Sequence, residues 1–155
     1  MRAQIALFLW TGSVCSGLAT GQIIDGGSNA THAAITRAVA VLPRRPARIV
    51  VMDQAKAQAL RPTLSKGAEA FVPDFSTTIH LVEQGDTLRH AAAQGGIFDY
   101  ALAVVIWHEM AHVDGASERE AQLREEALWQ RFIIEGRVDR SRGLAYLALL
   151  THRRQ

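Results

Sequence analysis

Two histidines four residues apart with a glutamate between them, His108-Glu109-x-x-His112, are the residues of this chain best suited to chemistry. On an α-helix of about 3.6 residues per turn, positions i and i+4 share a face, so both imidazoles can reach one metal ion, and zinc suits such nitrogen donors. Glu109 lies one position round the helix, beside that metal. Its carboxylate can accept a proton from a water polarised by the zinc and hand it to a leaving amine, which is the work of a hydrolase. The setting supports more than a chance match. Tyr100 to Trp107 is apolar throughout, so the helix is buried rather than amphipathic, and polar side chains closing a buried helix need partners.

A zinc site needs a third protein ligand, and the next segment offers four glutamates. Asp114-Gly115 stops the first helix, and Ser117 with Glu120 three residues on reads as a capping box that opens a second helix over about 117–135. The two helices are expected to run antiparallel. On a wheel of 100° per residue, Glu118 and Glu125 share an arc with Ala121, Leu128, Trp129 and Phe132, whereas Glu120 and Glu126 fall among Arg119, Arg124, Gln130 and Arg131 and read as solvated surface. Reflecting one helix onto the other through the turn sets the metal opposite residue 118 or 119, with Glu125 roughly 10 Å further along. Glu118 is therefore the expected ligand, and Glu125 an acceptor behind the ligands or a hydrogen-bond partner in the core.

With these residues in place, the chain resembles the zincin metallopeptidases. His108-Glu109-x-x-His112 followed by Glu118-Arg119-Glu120-Ala121 is similar to the gluzincins, whose third ligand is a glutamate opening an E-x-x-A helix. The spacing to Gly115 and Glu118 also resembles the metzincin pattern, with Glu118 where those enzymes have His or Asp. There are departures: no methionine follows Met110, and Gln122 stands where many gluzincins carry Asp. The match spans only about thirty residues. It implies one catalytic zinc held by His108, His112 and Glu118, with Glu109 as the general base. It also implies that the strand before the motif helix, Ile79 to Val82, lies at the cleft rim and pairs with an extended substrate.

The rest of the chain must position these groups. At 155 residues, 48% of them hydrophobic, there is enough material for one soluble domain with a real core. Lys and Arg number 17 against 15 Asp and Glu and are mostly dispersed, which argues against a nucleic-acid partner. Residues 1–21 read as a signal peptide, with Arg2 as a short positive region, Ile5 to Trp10 as the apolar stretch and Ala19-Thr20-Gly21 as the cleavage site. The domain would then be residues 22–155, exported to the periplasm or beyond, without a cysteine, a disulfide or a membrane span. If residues 1–21 are not a leader, the protein is cytoplasmic. Ile23-Ile24 reads as a short strand or anchor, His32 to Leu42 as a helix and Arg48 to Met52 as a buried strand. A helix follows over Gln54 to Leu60, then a loop over Leu64 to Asp74 and a strand over 77–82. Thr87 to Ala93 and Leu144 to Leu150 read as further helices, the last packed beneath the site. His32 reads as a surface or cap residue, and His80 faces either the cleft or solvent on the other strand face.

The expected architecture is thus a small α+β domain in which strands near 48–52 and 77–82 cover one side of the paired helices. The expected function is a zinc peptidase acting on peptides or partly unfolded protein, with a shallow cleft and modest sequence preference because little chain remains to wall it. The alternative is a metal-stabilised binding module or inhibitor, which would have a closed site completed by Glu125 or His80. Tyr100, Tyr146, His80 and His90 are suitable types for stabilising an oxyanion, but no spacing singles one out. Nothing in the sequence sets the oligomeric state.

Overall fold

The structure, a computed structural model, describes residues 23–65 and 67–152; the leader expected over residues 1–21 lies outside them. Ten elements follow one another as β1 (Ile23–Asp25), α1 (Asn29–Ala40), β2 (Arg48–Met52), α2 (Gln54–Leu60), β3 (Ala70–Phe71), β4 (Thr78–Val82), α3 (Asp86–Gln94), α4 (Ile97–Val113), α5 (Glu118–Ile134) and α6 (Arg140–His152). This is a small α+β domain. Its mixed sheet has the order β1-β2-β4-β3, with β1, β2 and β4 parallel and β3 antiparallel to β4.

Alternation along the strands divides the core. Ile49 and Val51 of β2 and Ile79 and Leu81 of β4 are buried in the large cluster shared with α1, α3, α4 and α5. Phe71 and Val82 lie in a small second cluster with Ala57 of α2, flanked by Met52 and Leu64. The two clusters occupy opposite sheet faces, as the period of two requires. Ser28 caps α1 by accepting from the Thr31 amide, and Thr31, Ala34, Ile35, Ala38 and Val39 form its buried stripe.

The centre of the large cluster is α4. It packs on α1, α3, α5, β3 and β4, which is why its sequence shows no polar face. Pairs between α4 and α5 run Tyr100 to Phe132, His108 to Glu125 and His112 to Glu118, so one helix descends as the other climbs. The turn between them uses Gly115 at φ 83°, a left-handed conformation that glycine adopts without strain. Ser117 and Glu120 form the capping box at the start of α5. Beneath it, the Trp129 indole donates to the Gly143 carbonyl at 2.8 Å and ties α5 to α6.

Three expectations change. The segment from Leu64 to Asp74 is not all loop, because Ala70 and Phe71 pair with Leu81 and His80; a two-residue strand is too short to leave a periodic signal. As a result β4 has β2 on one side and β3 on the other, and the sheet edge beside α4 is β3 rather than Ile79 to Val82. The final helix is longer than expected, opening at Arg140. Among the described residues no helix is long and apolar enough to cross a membrane.

Candidate metal centre

The last turns of α4 present His108 and His112 toward the first turn of α5. His112 Nε2 lies 3.1 Å from His108 Nε2 and 3.2 Å from Glu118 Oε2, and His108 Nε2 lies 3.5 Å from that same oxygen. Three potential donor atoms therefore surround one point. Four ligands placed tetrahedrally at about 2.0–2.1 Å from a zinc ion stand about 3.3–3.4 Å apart, which is close to all three observed separations.

The far side of each ring decides what its near side offers. His112 Nδ1 is 3.1 Å from the Ala116 carbonyl oxygen; a carbonyl only accepts, so that nitrogen carries the proton. His108 Nδ1 is 3.0 Å from Glu125 Oε2, again an acceptor. In the neutral rings both Nε2 atoms are then bare lone pairs, aimed at each other and at a carboxylate oxygen. Such a convergence is repulsive unless a cation or a proton lies between them, and two imidazoles with a carboxylate fit zinc.

Glu125 is buried, about 9% exposed, on the face of α5 that meets α4. Burial acts to lower the His108 imidazole, but the hydrogen bond and charge of Glu125, with the charges of Glu109 and Glu118, outweigh it and hold the ring above its usual value. Glu118 departs from the wheel, which placed it in the buried arc: in the first turn of α5 it is exposed, while still meeting His112 in the last turn of α4. The Gln122 amide donates to Glu118 Oε1 at 2.8 Å, leaving Oε2 turned toward the imidazoles. Glu120 is committed to the capping box, accepting from the Ser117 amide and hydroxyl. Glu126 is not surface as expected. It is partly buried along a cavity wall, because residues 67–70 and Leu150 cover that flank of α5.

Glu109 is buried beside the two imidazoles. Burial pushes its carboxyl above the usual range, His108 and His112 pull it back, Glu118 pushes it up again and Arg61 pulls it down. Glu109, His108 and Glu118 line two cavities, one of about 240 Å3 toward α6 and one of about 1000 Å3 toward residues 61–77. The larger cavity is open to solvent, but it is not unwalled as expected. The chain between α2 and β4, which looked like spare loop, forms a wall opposite the motif helix.

None of the four residues considered for an oxyanion, Tyr100, Tyr146, His80 and His90, lines either cavity. Tyr100 meets Phe132 edge-on, Tyr146 packs on Trp129 and His90 stacks on Phe98. His80, partly buried, stacks on Phe71 on the α2 face of the sheet and lines neither cavity. Among the described residues, Arg61 is the one Lys or Arg along the larger cavity, and its charge acts on Glu109. Nothing in the sequence pointed to it, since a single arginine after a seven-residue helix carries no spacing signal.

Glu125 is engaged on the Nδ1 side of His108 and His80 is stacked on Phe71, and neither joins the three donor atoms. Among the described residues the group able to hold a metal is His108, His112 and Glu118. Compared with protein-family models, with curated proteins and with solved structures, the chain matches none of them, and the reading of the centre rests on its own geometry.

Proposed function

We propose that this protein is a zinc-dependent peptidase of the zincin kind, with His108, His112 and Glu118 as the metal ligands and Glu109 as the general base. The observation that carries the reading is the convergence of two Nε2 lone pairs and one carboxylate oxygen within 3.1–3.5 Å, next to a buried carboxylate that opens onto a cleft. Zinc held there would supply Lewis-acid polarisation of a carbonyl and of an attacking water. The protein's own groups do the rest. Glu109 accepts the proton of the water at its carboxylate and returns it to the departing amine, and its burial favours the protonated form that this second step requires.

Glu125 and the Ala116 carbonyl fix the imidazoles with Nε2 inward, and Gln122 steadies Glu118. Arg61, which lines the larger cavity and whose charge reaches Glu109, is the cationic side chain available to a developing oxyanion. The substrate is a peptide or partly unfolded protein lying in the larger cavity, with its backbone along the free edge of β3. Removal of the leader expected over residues 1–21 would place this activity outside the cytoplasm.

The test is a chelator-sensitive cleavage assay on a mixed peptide library, run beside metal analysis of the purified protein. Glu109→Gln is expected to retain stoichiometric zinc and lose turnover. A protein that binds no zinc, or a Glu109→Gln variant that still turns over, removes the proposal. Stoichiometric zinc with no cleavage by the parent would favour the metal-stabilised binding module instead.

A further inference from the structure

We propose that the smaller cavity beside the candidate metal centre takes a protonated amine of the substrate, so that the site selects peptides by a positive charge. This inference rests on the peptidase reading above and adds the charge that its substrate carries. The cavity, of about 240 Å3, is lined by five carboxylates, those of Glu69, Glu109, Glu118, Glu125 and Glu126. Among the described residues no Lys or Arg lines it. Like charges brought together raise one another's energy, the more so where protein excludes water. Zinc held by His108, His112 and Glu118 would offset only part of that charge.

Exposed acidic clusters are solvated and need no ligand, but two members of this one are buried. Glu109 is 7% exposed, lines the cavity and accepts no hydrogen bond from the described residues. Glu125, 9% exposed, gives Oε2 to His108 Nδ1, and no described residue donates to its Oε1. A carboxylate taken out of water needs donors, and an ammonium group brings both N–H donors and the opposite charge. A second metal ion fits less well: among the described residues, His108, His112 and Glu118 are the one group whose ligand atoms lie close enough to share an ion. His108, Glu109 and Glu118 line both cavities, so the smaller one meets the larger at the metal centre. A peptide in the larger cavity with its carbonyl at that centre can therefore extend an amine into the smaller. The amino terminus and a Lys side chain present the same ammonium group, and the test separates them.

Binding and cleavage are read separately. The reference is a short alanine peptide, acetylated at its amino terminus and amidated at its carboxyl end. It is compared with the same peptide bearing a free amino terminus, and with acetylated peptides carrying one Lys, or its neutral counterpart norleucine, at each internal position in turn. Affinity is measured by calorimetry in zinc-loaded Glu109→Gln protein, which keeps the other four carboxylates. Either the free-amino peptide or one Lys peptide should bind about tenfold tighter than its neutral counterpart, and the one that does names the source of the amine. Glu126→Gln removes a charge from the cavity wall without touching a metal ligand and should cut that preference about threefold; Glu126→Lys should abolish it. Both should keep the zinc content and melting temperature of the starting protein. In the active protein the same preference should appear in kcat/KM. Equal binding of charged and neutral peptides, a preference that survives Glu126→Lys, or one lost only together with zinc or melting temperature would overturn the proposal. A parent that shows the preference in binding but cleaves nothing sinks the peptidase reading and leaves the amine site standing; one that cleaves charged and neutral peptides alike does the reverse.

Discussion

Glu125 offers a sharp test of the centre because it touches no metal and yet should control metal affinity. Its Oε2 lies 3.0 Å from His108 Nδ1, with side-chain exposures of 11% for the carboxylate and 15% for the imidazole. The contact is shielded, and water cannot readily replace it. Such a partner fixes the ring and raises the basicity of the opposite nitrogen, and its loss typically costs 10–100-fold in metal affinity, or about 1.4–2.7 kcal/mol. Glu125→Gln keeps an acceptor and removes the charge, so it should fall near the lower figure. Glu125→Leu also leaves the Nδ1 proton without a partner, at about 1–3 kcal/mol, and should reach the upper one. Glu118→Ala, which deletes a ligand, should exceed both. Zinc affinity is read by competition against a chelating dye, with the melting temperature of the metal-free variants measured alongside to separate metal loss from misfolding. Should Glu125→Leu bind zinc as tightly as the parent, the tautomer argument fails, and with it the case that His108 Nε2 is a preset donor.

A Cβ added at Gly143 would lie 2.6 Å from Ile133 Cγ1 and 3.2 Å from Val138 Cγ1. Overpacking costs of about 1–3 kcal/mol should therefore outweigh the roughly 1 kcal/mol that alanine gains in a helix; Gly143→Ala is expected to melt lower, and the added change Ile133→Ala to recover part of the loss, whereas a higher melting temperature for Gly143→Ala alone would contradict the packing argument. Burial depresses the His80 imidazole, with Arg48 adding to the effect, and its Nδ1 is buried without a hydrogen-bond partner. The unfolded chain then binds the extra proton first, so the stability due to neutral His80 is complete above about pH 6.5 and declines as pH falls from there through the depressed folded value. Comparing urea midpoints of the parent and His80→Phe across pH 5 to 8 should show a steeper loss in the parent below pH 6.5, and parallel curves would refute it.

The grouping of His108, His112 and Glu118 was legible in the sequence because it rests on local periodicity. His108 and His112 share a helix face wherever that helix goes, the apolar run before them demands burial, and Ser117 with Glu120 caps its own helix through contacts three residues long. Turn residues likewise located α1, β2, α2 and β4, since Pro, Gly and Asp interrupt the chain at their ends. The wheel placed Glu125 rightly on the buried face, where it meets His108, but it could not tell that Glu118 on the same arc is exposed, or that residues 67–70 and Leu150 turn Glu126 from surface into cavity wall. The edge position of β3, the stacking of His80 on Phe71, and the meeting of Arg61 and Phe75 with Glu109 in one cavity are long-range outcomes. They depend on which strands pair and on how a segment with almost no periodicity folds over α4. Local sequence determines which face a side chain occupies on its own element, and only the packing of elements decides what that face meets.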